Sequence, residues 1–480
     1  MSIATLSSDL AEWTLGLSYE DLPAEVVLAA KESIRDTLAG AVLGAHTGRM
    51  RQFVSLVGPL TGDGAASIVL DEAKGSVIDA ATFNAICAHG CELDDTLLDA
   101  GGHPGSVVIP VGLALAEANR LSGRQLIVAV VAGYELMYRA VGPIFPSNQQ
   151  RGFQATGLGG PFAAAATAGS LLGLAPSQMR DAFGIAGSYA SGLLEYDQAG
   201  GECKRLYAGL AARAGLEVVE LARMGITGPS TIFEGRRGVY ASFGDVLDLD
   251  RATDGLGIDY SILSRRRVKR YPTVGSFHGA LDALGVVLDG SFSADEIERI
   301  DVFLAPLSVV HGGAVKVPTD TVSAQFSCSF SVALRVLFGR NDLELYEDST
   351  LWTDERLVAI GNRVHVNGDP LVDPLTEQGR GRVVVRLSDG RVLSNDQPVP
   401  AGRPDNPLPD DELNDRFARF TRALGSTAQR RLDRELSQLE LLENLDVVAA
   451  ALRAPVNVEA DHTEDDRGTT RPAYREEETQ

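Results

Sequence analysis

Along the first 260 residues, apolar positions recur every three or four residues with alanine and glycine between them, which is the period of closely packed helices. In DLPAEVVLAAKESIRDTLAGAVLGA the positions Val27, Ile34, Leu38 and Val42 mark one buried face, and Pro23 stands near the start, where its missing N–H is harmless. LSGRQLIVAVVAGYELMYRAVG opens on Ser122 and Gln125, a capping-box spacing, and predicts a buried helix. A third helix is expected in PSQMRDAFGIAGSYASGLLE, where Gly184, Gly187 and Gly192 weaken a lone helix but let neighbouring backbones approach. GLGGPF at 157–162 is read as a tight turn into a helix, because no strand precedes it as a dinucleotide loop would require.

The texture changes at SRRRVKRYP, residues 264–272. Beyond it IERIDVFLA and GRVVVRLSDGRVLS read as strands, the second a hairpin turning at Asp389 and Gly390, while GALDALGVVLDG and FSVALRVLFG keep helical spacing. From about 408 the helical pattern returns, in DDELNDRFARFTRAL and LDRELSQLELLENLDVVAALR. The expected organisation is mainly α with an α+β second domain: a helical domain over 1–263, an α+β domain over 264–402, helices over 403–455 that return to the first domain, and a disordered acidic tail over 456–480.

Composition narrows the function. A formal charge of -22 excludes nucleic acid as the natural partner, so an anionic ligand needs a local basic patch working against the global field. The apolar run LIVAVVAG, 126–133, is far short of a membrane span, and MSIATLSSDLAEW lacks the pattern of a signal peptide. The expectation is a cytoplasmic protein without membrane contact. The cysteines at 87, 91, 203 and 328 fit a reducing compartment. Cys87 and Cys91 lie near His89, but no second ligand pair follows at metal spacing, so no metal is expected.

Titratable chemistry gathers in HGCELDDTLLDAGGHPGSVVIP, 89–110, where Glu92, Asp94, Asp95 and Asp99 lie between apolar flanks. Gly101 and Gly102 present His103 on a loop, and Pro110 is read as the first turn of a following helix. Either the carboxylates cap helices or, together with His103, they form a site. Three further concentrations are GFQATG with Gln154, GGECKRLYAGLAARAG with Lys204, and RRRVKRYPTVGSFHGALDA with Lys269 and His278. Arg265 and Arg266 of the last are expected to face solvent.

Together HGCELDDT, HPG, GFQATGLGGPFAAAATAGSLLGL, GIAGSYASGLL, KRLYAGLAARAGL, GITGPSTIFEG and KRYPTVGSFHGALDA resemble the MmgE/PrpD family, which includes 2-methylcitrate dehydratase, cis-aconitate decarboxylase and iminodisuccinate epimerase. The resemblance runs from about residue 5 to 450. It implies a large helical domain built from both chain ends, a smaller α+β lid, an active site between them and a homodimer; no cofactor motif is found, and no cofactor is expected. It places Glu92, Thr96, His103, Lys204 and Lys269 in the active site with Asp94 beside them. Cis-aconitate decarboxylases carry histidine where this chain has Gln154 and Val274, and tyrosine where it has Phe330.

The resulting expectation is a metal-independent lyase for a small di- or tricarboxylic acid, dehydrating a 2-methylcitrate-like hydroxy acid. His103 is its acid or base, Lys204 and Lys269 are carboxylate binders, and Asp94 is an orienting group. Glu92, Thr96, Gln154, His278 and Phe330 complete the candidate substrate pocket. The alternatives are an epimerase of an amino- or imino-dicarboxylate, a cis-aconitate-type decarboxylase, and a catalytically silent binding subunit.

Overall fold

Small residues let the helices of the N-terminal half approach closely. The computed structural model describes residues 5–53, 64–373, 375 and 377–453. Its longer N-terminal helices are α1 (Leu6–Gly16), α2 (Ala24–His46), α3 (Val77–Gly90), α4 (Gly105–Asn119), α5 (Gly123–Val141), α6 (Ala155–Leu171), α7 (Pro176–Ala186) and α8 (Tyr207–Arg223). Buried α6 packs against both α5 and α8. A Cβ on Gly215 of α8 would stand 2.1 Å from the Ala164 Cβ on α6, so this crossing requires glycine. α5 opens with the expected box: Ser122 Oγ accepts the Gln125 N–H at 3.3 Å and Gln125 Oε1 accepts the Ser122 N–H at 2.9 Å. The helical run Gly123–Ile144 is the one stretch among the described residues long and apolar enough to cross a membrane, and it is wholly buried in the protein.

Four local expectations are corrected. Residues 157–162 lie inside α6 and form no turn, because Gln154 caps that helix three residues earlier. Pro110 sits inside α4, whose first N–H, on Gly105, is already held by Asp95 Oδ1 at 3.1 Å. The third helix stops at Ala186, before Gly192, which adopts φ +103°. In α2 the buried position is Val26, and Val27 beside it is half-buried.

Two short strands, β1 (Thr96–Leu97) and β2 (Arg266–Arg267), pair antiparallel and tie the acidic loop to the basic segment. The α+β part is a four-stranded sheet of β3 (Ile297–Leu304), β4 (Val364–Gly368), β5 (Gly381–Leu387) and β6 (Val392–Gln397) in the order β4-β3-β5-β6. β3 and β4 run parallel, and the other pairs are antiparallel. Helix α9 (His278–Val287) lies against β5 and β6, and α10 (Cys328–Phe338) packs beside it. Inward residues Ile300, Val302, Val383 and Val385 meet Leu281, Leu284 and Val332 in a core of their own. Leu194 and Tyr196 join that core from the N-terminal part of the chain.

The C-terminal helices α11 (Asp410–Phe420), α12 (Gly425–Ser437) and α13 (Asp446–Leu452) return to the first core through Phe417, Phe420, Leu432, Leu436, Val448 and Leu452. The helical pattern after 432 is interrupted between Ser437 and Asp446. The chain is thus mainly α with an α+β portion. The expected disordered tail, 456–480, lies outside the described residues.

Candidate active site

Helix α3 ends at Gly90, and two residues later Glu92 takes a left-handed backbone, φ +59°. A non-glycine residue held there stores strain of about 1 kcal/mol and points its side chain where a regular turn would not. The β1–β2 ladder then sets Thr96 opposite Arg267. Because side chains alternate along extended chain, Arg267 and Lys269 turn to one side, toward a cavity, and Arg266 turns to the other. There Arg266 Nε donates to Asp95 Oδ2 at 3.2 Å, out of solvent, which corrects the expectation that it faces water. Asp95 also accepts from Tyr134 Oη at 2.5 Å, so it is a structural carboxylate. Arg265 pairs with Asp259 at 2.6 Å and is half-buried.

Glu92 is caged. One carboxylate oxygen receives Lys204 Nζ and the other receives Lys269 Nζ, all three groups buried. Burial pushes the Glu92 carboxyl up, but the two ammonium groups hold it well below the usual range. Burial lowers Lys269 against the pull of Glu92. Arg267 is buried beside them, with Nη1 on the Gly275 carbonyl at 3.3 Å and Nε without a partner. Burial, with Arg403 nearby, brings Arg267 down to about 10. Three cations against one carboxylate leave this wall with an excess of two positive charges in a chain of net charge -22. A wall of that charge favours an anion.

The imidazole of His103 stands beside this wall. Its Nδ1 is 3.3 Å from Asp94 Oδ2, and the same oxygen is 2.7 Å from His89 Nδ1. The two rings meet edge to face at 5.0 Å between centroids. Asp94 is buried, yet His103 and His89 hold it well below the usual carboxylate range. Burial, with Lys204 nearby, lowers His89 to about 4, so it stays neutral and orients Asp94. The His103 N–H of the backbone donates to Thr156 Oγ1 at 3.0 Å, pinning the loop to α6. The His103 ring lines the cavity. Thr96 Oγ1, at the same wall, is buried without a partner. Orphaned polar atoms in a cleft mark where a ligand completes the bonding.

His89, Asp94 and His103 also bring one ligand atom each within 4.8 Å of one another, the geometry from which a metal site could be built. The two imidazole nitrogens converge on one Asp94 oxygen at contact distances that an ionised carboxylate between two imidazoles already accounts for. Cys87 and Cys91 take no part in that group; burial pushes both thiols up, Cys91 to about 12.

The cavity measures about 80 Å³ and is lined by Glu92, Thr96, His103, Gln154, Lys204 and Lys269, six of the residues expected from the sequence. Asp94 lies behind His103 rather than on the surface. Gln154 spends its Oε1 on the Gly157 N–H at 2.7 Å, leaving an amide that donates but cannot take a proton. Two expectations fail. His278 begins α9 with its ring against Tyr271 and its Nε2 3.3 Å from the Thr273 carbonyl, away from the cavity wall. Phe330 is locked in the first turn of α10, where Ser327 Oγ accepts its N–H at 3.1 Å, and it packs on Tyr346. Phe326, four residues earlier, reaches the cavity instead. Arg267, Tyr196 and His311 also line it and were not foreseen. The period of two in RRRVK, counted back from Lys269, is the signal that would have found Arg267. No local pattern announces Tyr196 or His311.

A helical body is thus joined to an α+β body, with buried cations and an imidazole beside a carboxylate at one cavity. The chain belongs to the MmgE/PrpD family: the MmgE/PrpD N-terminal domain matches residues 8–251 and the MmgE/PrpD C-terminal domain matches 271–441. It is similar to a cis-aconitate decarboxylase-like protein, oryM, of Aspergillus oryzae, at 27% identity over 91% of this chain and 94% of the relative. It is also similar to a cis-aconitate decarboxylase of Aspergillus terreus, at 26% over 94% of this chain and 96% of that protein. A third relative is the cis-aconitate decarboxylase of Homo sapiens, at 24% over 95% and 96%.

Proposed function

We propose that this chain is a lyase for a small di- or tricarboxylic acid and that it eliminates water from a 2-methylcitrate-like hydroxy acid. The observation that carries the reading is the Lys204–Glu92–Lys269 cage with Arg267 beside it and His103 at its edge. Lys204, Lys269 and Arg267 hold the substrate carboxylates. His103 Nε2 takes the proton from the carbon next to one of them. Negative charge then builds on that carboxylate, and fixed cations in a water-poor cavity stabilise it without having to reorganise. Glu92 keeps the two lysines aimed, and Asp94 steadies the imidazolium that forms at His103.

Decarboxylation of cis-aconitate is the second reading, supported by the names of the relatives. Against it stand a capping amide at 154, an apolar side chain at Val274, and a core phenylalanine at 330. The test is proton NMR of the purified protein in deuterium oxide with 2-methylcitrate, citrate, cis-aconitate and amino-dicarboxylates. Olefin from 2-methylcitrate is the expected result. Carbon dioxide from cis-aconitate would establish the second reading, deuterium exchange without net product would mean an epimerase, and binding without any reaction would mean a silent member.

A further inference from the structure

The proposed elimination needs two proton-handling groups, one for the C–H and one for the departing hydroxyl. His103 accounts for one. The cavity holds a second imidazole, His311, at the end of the short helix Pro306–Gly312, which belongs to the α+β part. Its Nδ1 is 2.5 Å from Asp197 Oδ2. Asp197 is buried, and its other oxygen accepts Gln198 Nε2 at 2.7 Å, so the carboxylate is fixed from both sides. The edge of Phe326, 5.5 Å away between centroids, sets the plane of the ring. With Nδ1 committed to Asp197, Nε2 on the opposite edge is the nitrogen left for the cavity. The site thus contains two carboxylate-backed imidazoles, His103 on Asp94 from the helical core and His311 on Asp197 from the other side of the domain junction.

We infer that His311 is a second catalytic residue, the acid that protonates the leaving hydroxyl, with Asp197 as its positioning residue. The inference rests on the dehydratase reading. The C–H bond breaks and its proton goes to His103 Nε2, while its electron pair becomes the new C=C bond. The C–O bond breaks, and the hydroxyl departs as water with the Nε2 proton of the His311 imidazolium. His311 is left neutral with its Nδ1–H still on Asp197, and both histidines regain their starting state by exchange with solvent.

The test replaces the leaving group. Fluoride departs without a proton, so the analogue of 2-methylcitrate with fluorine in place of the hydroxyl bypasses a general acid. His311→Asn should lose water elimination by roughly 10²–10⁴ while retaining fluoride release within a few-fold of wild type. His103→Ala should lose both. Asp197→Asn should show the His311→Asn pattern more weakly. Folding is checked by thermal unfolding, and His311→Gln replaces His311→Asn if the latter fails to fold. Water elimination at the wild-type rate in the His311 variant overturns the inference, as does equal loss on both substrates. If wild-type protein eliminates neither group, the dehydratase reading falls on its own. His311 is then judged by nitrogen NMR of histidine-labelled protein with citrate, where a shift at its Nε2 keeps it as a substrate contact and an unmoved signal removes it.

Discussion

His103 illustrates how little of the core depends on a working side chain. Its backbone N–H holds the loop through Thr156, while the ring rests against His89 and Asp94. His103→Ala should therefore fold and lose turnover by roughly 10²–10⁴, as steady-state kinetics with 2-methylcitrate would show. Lys269→Met keeps most of the aliphatic volume and leaves Glu92 with Lys204 alone. Weaker citrate binding and slower turnover should appear together, because the same cation serves the bound acid and the charge that develops from it. The neighbouring arginines behave differently from each other. Arg266→Gln strands Asp95 in the core, and breaking a buried pair costs about 3–5 kcal/mol, so its unfolding temperature should fall sharply. Arg265→Gln should change it little; similar behaviour of the two variants in a thermal melt would count against this account. The acidic loop and the two lysines were legible in the sequence because unusual residue types sit in apolar surroundings. The resemblance singled out Asp94, but the local pattern did not separate it from Asp95. The same side chain on adjacent positions becomes a proton-site carboxylate in one case and a helix and arginine anchor in the other, according to which way each points.

At the scale of elements, one wall of the site depends on three chain segments meeting: the loop after α3, the extended run 266–269, and α11 from the far end of the chain. Arg416 of α11 joins them. Its Nη1 donates to the Lys269 carbonyl at 2.8 Å, its Nη2 to the Leu93 carbonyl at 2.7 Å, and its Nε to Asp36 at 2.6 Å. The helix was foreseen from its period, but this clamp was not, since a hydrogen bond across 147 residues leaves no local trace. Arg416→Lys preserves the charge on Asp36 but cannot reach both carbonyls with a planar fork. Citrate affinity should then drop several-fold with a smaller change in kcat for bound substrate. Arg416→Met should also lower the unfolding temperature. Unchanged citrate affinity in a folded Arg416→Lys protein would show that the clamp stabilises α11 without aiming Lys269. Helix boundaries were read least well where glycine or proline was taken as punctuation: Pro110 and the 157–162 run are both swallowed by helices whose caps lie earlier. Tertiary packing on both sides of α6 outweighs the low helix propensity of its glycines.

Over the whole molecule, the buried ionisable groups predict how stability follows pH. His89 is lowered to about 4 and His278 well below 6.5, burial being the first cause in both. A histidine depressed in the folded state is neutral there while the unfolded chain takes up its proton below about 6.5, so stability is full above that pH and is lost as pH falls toward the folded value. Each contributes at most about 1.4 kcal/mol per pH unit over its window. Glu92 and Asp94, also depressed, carry the loss further into acid with the same sign. Asp95, Asp99 and Glu347 are raised by burial and work in the opposite sense. A difference measurement removes them. His278 lies outside the cavity, so His278→Gln should keep elimination activity while flattening the fall in unfolding free energy between pH 6.5 and 4.5. Denaturant unfolding of both proteins at half-unit steps reads this directly. Parallel curves for wild type and variant would mean that His278 takes up its proton in the folded state as readily as in the unfolded chain, and that the acid sensitivity belongs to the site carboxylates and His89.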